Sequence, residues 1–261
     1  MINEQNIKRK IYEPFGFPVG VYDLECDPSI NQWLIKTAYA LDNFSQENTD
    51  IFHKISGAGT GVRTLYNNNN KSFIGAHTWI MNRCHNFPNF PTGFSEKIMK
   101  CVYDYAKFIG MSLRSSKNCT LYIERCWPTI TKSSDVIKGH NHSQHIFSSV
   151  YYPSHTPKQG DLWFDRGDNC NRNVKFESNK GADEKSLLKI QQGQFVIFPS
   201  NVFHGTQENK SNEDRISYSF DIDSIGVDYK LPPTKIVQDV WKDFNTTITN
   251  SGLMEVLLDE S

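Results

Sequence analysis

The sequence has no C-x-x-C pair, no apolar run of membrane-spanning length and almost no net charge, and each absence removes a class of function. Its six cysteines (Cys26, Cys84, Cys101, Cys119, Cys126, Cys170) are scattered, so neither a zinc ribbon nor a thioredoxin-like redox motif is supported. Met1 to Lys10 is polar and charged and lacks the apolar core of a secretion signal. No apolar run approaches the roughly 20 residues of a spanning helix. These features predict a cytoplasmic protein with reduced thiols and no membrane partner. The N-x-[ST] triplets at Asn43, Asn70, Asn118, Asn209 and Asn245 then read as chance matches in an Asn-rich chain. Lys plus Arg total 28 and Asp plus Glu 29, for a net charge of -1. That balance leaves no electrostatic footprint for nucleic acid, so the expected partner is a small-molecule or peptide substrate, with a homodimer allowed.

What is present reads as one domain of 261 residues: an α-rich portion over 1–118, a β core over 119–225, and a C-terminal helix and tail over 226–261. Residues 12–24 read as a strand interrupted by Pro and Gly. Asp27 as N-cap and Pro28 at the first helical position open a helix with the stripe Ile30, Trp33, Leu34, Ala38, Leu41. A second helix over 94–109 carries Phe94, Ile98, Val102, Tyr105 and Ile109 on one face, with Gly110 as its C-terminal cap. Both read as braces for a sheet. From Cys119 onward, short aromatic and β-branched runs follow one another without helical spacing: 119–127, 146–152, 161–164, 187–190, 194–198 and 215–222. This succession predicts a mainly β fold with α additions, an antiparallel barrel or sandwich. The polar stretch 166–186 reads as a long irregular loop, and 233–248 as a last helix.

Two places concentrate chemistry. GHNHSQH carries His140, His142 and His145 just before a strand, and FPSNVFHGT carries His204 just after one. Side chains two apart on extended backbone share a face, so His140 and His142 can present two imidazoles to one metal and need a third ligand from elsewhere. Eight histidines in this length give roughly 0.25 H-x-H pairs by chance, so the pair gains force only with His204. His53, His77, His85 and His155 read as ordinary core or surface residues. Arg215 opens the strand RISYSF with Ser217 on the same face. A buried guanidinium there needs an anion, and its fork suits a carboxylate. The alternatives for Arg215 are an ion pair with Asp221 or Asp223, or a surface position after NKSNED.

The stretch from about Trp127 to Phe220, through GHNHSQHIFSSVYYP, GDLWFD, GQFVIFPSNVFHGT and RISYSFD, resembles the 2-oxoglutarate/Fe(II)-dependent oxygenase superfamily. It is most similar to the 2OG-Fe(II) oxygenases of marine bacteria and phages, distant relatives of prolyl 4-hydroxylases. The resemblance implies a double-stranded β-helix (jelly-roll, cupin-like) core braced by the N-terminal helices. It implies Fe(II) on His140, His142 and His204, and 2-oxoglutarate with its far carboxylate on Arg215 and Ser217. It further implies O2 as co-substrate, hydroxylation of an unidentified substrate, and the host's cytoplasm if a phage encodes the chain. No catalytic residue beyond the metal centre is implied. His145, Trp127, Tyr152 and Trp163 are the candidate pocket residues.

One departure matters. The family places a carboxylate two residues after the first histidine, where this chain has His142. Either His142 is the third ligand, or it is a bystander, or a carboxylate such as Asp161 or Asp165 swings in; strand parity favours the first. The nearest rival is a cupin-type metalloprotein without 2-oxoglutarate, because GQFVIFPSNVFHGTQE resembles the second cupin motif apart from Asn201 at its glycine. A non-catalytic β-sandwich module is the third reading.

Overall fold

The computed structural model describes residues 8–47, 84, 90–111, 119–142, 145–165 and 185–226. Most of the 166–186 loop and the whole of the 233–248 helix fall outside the described residues, as do His53, His77 and His85.

The segment read as one interrupted strand is two strands. β1 (Arg9–Tyr12) and β2 (Val19–Asp23) pair antiparallel around a 3-10 turn at Pro14–Gly16. Gly16 takes φ +84 there, a left-handed value that glycine adopts without strain. Helix α1 (Pro28–Glu47) starts as the sequence predicts: Asp27 Oδ1 accepts from the Ser29 N–H at 2.8 Å, and Pro28 occupies the first position. Helix α2 (Thr92–Phe108) ends in a Schellman-type turn, with Gly110 at φ +68 and the Met111 N–H bonded to the Ala106 carbonyl at 3.0 Å. None of the described helices is long and apolar enough to cross a membrane.

Seven further strands complete the β core: β3 (Cys119–Thr131), β4 (Phe147–Ser154), β5 (Leu162–Asp165), β6 (Lys185–Leu188), β7 (Gln194–Pro199), β8 (Phe203–Thr206) and β9 (Arg215–Gly226). They form a six-stranded sheet in the order β1-β2-β7-β4-β9-β3 and a three-stranded sheet β6-β5-β8, with every pairing antiparallel. Sequence-distant strands lie side by side, as in a jelly roll, and the fold is mainly β in the double-stranded β-helix class. β3 runs through Pro128, which an edge strand tolerates because it has an unpaired side. β6 begins at Lys185, two residues earlier than 187–190 predicts, and β8 was not foreseen. Its FHGT is too short and too rich in Gly to signal itself and is extended by pairing with β5.

Alternation along the large sheet separates two cores. Ile216, Tyr218, Phe220 and Ile222 of β9 join Phe147, Tyr151, Phe195 and Ile197 against the apolar stripes of α1 and α2. The opposite residues, Val150, Tyr152, Val196 and Phe198, meet Leu162, Phe164 and Leu188 of the small sheet. Odd-numbered β9 positions therefore point between the sheets, and these are Arg215, Ser217, Ser219 and Asp221.

Candidate metal centre

His140 and His204 are joined backbone to backbone. The His140 N–H donates to the His204 carbonyl and the reverse, both at 2.9 Å, in an isolated antiparallel bridge. The His142 N–H donates to the Ser200 carbonyl at 2.8 Å. This stitching lays the segment before β4 along β8 and the β7–β8 turn, so two histidines from one motif meet a third some 60 residues away in sequence.

The rings converge. Ring centroids are 5.0 Å apart for His140 and His142, 4.5 Å for His140 and His204, and 5.4 Å for His142 and His204. One nitrogen from each lies within 4.8 Å of the others. At every ring Nδ1 faces an acceptor: the Lys138 carbonyl at 2.8 Å, the Val202 carbonyl at 2.9 Å, and Asp221 Oδ1 at 2.6 Å for His142. Carbonyls and carboxylates only accept, so Nδ1 carries the proton in each ring. What the three rings present to the space between them is then the Nε2 lone pair, the form of imidazole that binds metal. His204 is 7% exposed. Burial first, and then its two histidine neighbours, hold its pKa well below the ordinary 6.5 and keep the ring neutral. The donor set therefore fits a divalent ion that accepts imidazole, Fe(II) among them.

Among the described residues, His142 and no carboxylate completes the cluster. The candidate alternatives lie elsewhere: Asp161 Oδ1 accepts from the Ile190 N–H at 3.1 Å, and Asp165 shares the outer face of β5 with Trp163. Of the predicted pocket residues, Trp127 stacks on His142 with centroids 5.7 Å apart and planes at 24°. Tyr152 lies between the sheets. His145 is near but turned away from the cluster, its Nε2 accepting from Arg125 Nη2 at 2.6 Å. Trp163 is a correction. It points out of the small sheet into a cleft of about 1310 Å³ lined by Gly139, Lys158, Lys185 and Phe203, because β5 parity puts Phe164 inside and Trp163 outside.

Arg215 is fully buried, at 0% exposure. It does not pair with Asp221: six residues of strand are roughly 20 Å. Its Nη1 instead donates to the carbonyls of Gln159 (2.5 Å), Gly160 (3.3 Å) and Gln207 (3.2 Å). Its Nη2 donates to the hydroxyls of Thr206 (2.6 Å) and Thr131 (3.3 Å). Among the described residues no carboxylate lies within 4.0 Å of it, and its Nε–H has no acceptor. Burial pulls its pKa down, opposed by Tyr152 and Asp161. Thr206 follows His204 by two residues on one face of β8, roughly 7 Å along the strand. Its oxygen already accepts from Arg215 and from the Ile137 N–H at 3.1 Å, so its own proton is left to donate. Ser217 is buried one step along β9 from Arg215, paired across to Thr129. A buried cation without a counter-ion, an orphaned N–H and a hydroxyl proton together fit a carboxylate, and the span from His204 to Thr206 is one that a five-carbon diacid can bridge.

Two residues escaped the sequence reading. Thr206 carried no signal beyond its parity with His204. Asp221 reads in the sequence only as a partner for Arg215, although its parity with Arg215 places it on the same inner face just past the middle of β9. Burial would raise its carboxyl pKa, but the bonds to His142 and the charge of Arg125 outweigh that and hold it below the ordinary carboxylate range.

Residues 125–221 match the sequence family described as "Putative 2OG-Fe(II) oxygenase", which bears out the resemblance and spans the three histidines, Arg215, Ser217 and Asp221. No curated protein sequence matches the chain. Similar solved structures include an oxidoreductase of the 2OG-Fe(II) oxygenase family from Burkholderia pseudomallei, 15% identical with a TM-score of 0.35 over 49% of this chain and 57% of that one. HygX from Streptomyces hygroscopicus, solved with nickel and 2-oxoglutarate, is 13% identical with a TM-score of 0.32 over 51% and 78%. The non-heme monooxygenase ThoJ in its nickel complex is 12% identical with a TM-score of 0.37 over 62% and 72%. The chain thus spans little more than half the length of the Burkholderia protein.

Proposed function

We propose that this chain, whose residues 125–221 carry the 2OG-Fe(II) oxygenase match, is a non-haem Fe(II)- and 2-oxoglutarate-dependent dioxygenase that hydroxylates a small-molecule or peptide substrate. The observation that carries the reading is the set of three imidazoles with protons committed at Nδ1 and lone pairs turned to one point. His140, His142 and His204 would hold the iron. Arg215 Nε–H, the Thr206 hydroxyl and Ser217 would hold the far carboxylate of the diacid. When bound, iron and 2-oxoglutarate supply the oxidising chemistry, coupling decarboxylation of the diacid to oxidation of the substrate by O2.

The chain's own part is orientation and dryness. Carbonyl and carboxylate acceptors behind each ring set its tautomer and aim. Trp127 lies flat on His142 and fixes its plane, while Phe198 packs edge-on against His204 at 4.6 Å. Val150, Tyr152, Phe164 and Phe198 line the space between the sheets with apolar surface, which strengthens every charge interaction within it.

One observation favours a second reading. Both Nη groups of Arg215 are already bonded to main-chain carbonyls and hydroxyls, which is what a purely structural arginine in a cupin-type metalloprotein would show. Mixing the protein with Fe(II) and 2-oxoglutarate without oxygen separates the two. The dioxygenase gives a visible charge-transfer absorbance and, once oxygen is admitted, succinate. Intact iron binding without either signal assigns the protein to the cupin-type reading.

A further inference from the structure

His142 stands where the family resemblance leads one to expect a carboxylate, and a carboxylate backs its ring. His140 and His204 donate from Nδ1 to neutral carbonyls two residues earlier in the chain, Lys138 and Val202. His142 donates to Asp221 Oδ1 at 2.6 Å across 79 residues of sequence. We propose that Asp221 is the positioning residue of the three-imidazole centre, and that it returns, one hydrogen bond behind His142, the negative charge the metal-facing residues lack. This inference rests on the reading of the triad as a metal centre.

The surroundings of Asp221 hold its carboxylate in one place. Its side chain is 0% exposed. Oδ1 also accepts from the Ser148 hydroxyl at 3.2 Å, and Oδ2 faces Arg125 Nη2 at 2.5 Å. His145 lies 3.6 Å from Oδ2 and 3.5 Å from Asp223. Register explains the cluster: on the inner face Arg125 of β3 and Ser148 of β4 are the cross-strand neighbours of Asp221 on β9. Arg125, 27% exposed, keeps the carboxylate ionised while water screens part of its own charge. A carboxylate bonded to a ligating imidazole fixes the ring and raises its basicity, and removing such a partner typically weakens metal binding about 10- to 100-fold. The charge so supplied is what three neutral imidazoles cannot give an ion of charge +2. Asp221 touches no reacting atom; it acts through His142.

The test is titration of the metal-free protein with Co(II), followed by visible absorbance and calorimetry. The full chain is expected to bind one Co(II), and Asp221→Asn, which keeps shape and an acceptor but loses charge, to bind about 10- to 100-fold more weakly. Asp221→Ala should be weaker still. Circular dichroism and the metal-free melting temperature report whether each variant folds, and Asp221→Asn combined with Arg125→Gln removes both charges should the single change leave Arg125 stranded. Asn binding Co(II) within twofold of the parent overturns the inference. Should every Asp221 variant fail to fold, 15N-histidine NMR decides: a downfield, slowly exchanging Nδ1–H signal present in the parent chain and lost in His142→Gln supports the bond, and its absence from the parent overturns the inference. A parent chain that binds no Co(II) sinks the metal-centre reading itself, whereas a binding parent with an equally tight Asn variant sinks only the role of Asp221.

Discussion

Arg215→Lys separates the binding role of this cation from its structural role. The guanidinium makes five contacts from its two terminal nitrogens, to Gln159, Gly160, Gln207, Thr131 and Thr206. An ammonium has three N–H groups on one atom, so at least two buried acceptors lose their donor. At roughly 1–1.5 kcal/mol each, the variant should lose about 2–3 kcal/mol, a large share of the roughly 5–15 kcal/mol of a typical domain. It retains the charge but not the Nε–H that faces no acceptor among the described residues. Urea unfolding of the metal-free protein measures the first effect. Anaerobic titration of the Fe(II) protein with 2-oxoglutarate measures the second, expected as at least a tenfold weakening, about 1.4 kcal/mol, with Fe(II) affinity unchanged. Stability within about 0.5 kcal/mol of the parent would refute the clamp. Unchanged 2-oxoglutarate binding alongside lost stability would refute the carboxylate site and leave Arg215 as scaffold.

Three further outcomes follow from the same geometry. Burial holds His155 below its ordinary 6.5 despite its bond to the Gly160 carbonyl, so the unfolded chain takes up that proton at a higher pH than the folded chain does. Stability is then complete above pH 6.5 and falls as pH drops below it, with a limiting slope of about 1.4 kcal/mol per pH unit for one proton. Urea unfolding across this range should show a shallower fall in His155→Asn, though not a flat one, because His204 contributes with the same sign. In Gly205→Ala the added methyl meets the Trp163 indole and comes within 2.8 Å of the Ile137 carbonyl; thermal denaturation should show a loss of about 1–3 kcal/mol, and Co(II) binding should weaken as neighbouring His204 shifts. Saturating Co(II) at 100 times its dissociation constant should stabilise the chain by about 2.7 kcal/mol in calorimetry, an increment that a chelator removes and that His204→Ala lacks.

The elements were legible where local chemistry decides them. Asp27-Pro28 and Gly110 mark helix ends because capping and left-handed backbone are properties of a few neighbouring residues. The parity of His140 with His142, and of Arg215 with Ser217, follows from the strand's period of two and needs no partner. The family segment over 125–221 was equally readable, because its motifs are contiguous. β8 was not, since four residues containing a glycine become a strand only when β5 lies beside them.

Sequence alone settled which imidazoles could share a face and that a cation opens β9. Tertiary structure decided what each of them faces. Asp221 and Arg215 lie on one strand and looked like a pair, yet an extended chain holds them about 20 Å apart and hands each a different neighbour. Cross-strand register gives Asp221 to His142, Ser148 and Arg125, and the crossing of β8 gives Arg215 to Thr206. Trp163, an aromatic in a β run, was assigned to the pocket by type alone, and only the side of the small sheet that meets the large one determines that it points away. Local spacing sets the face a side chain occupies, and the packing of one sheet on the other determines which face is inside.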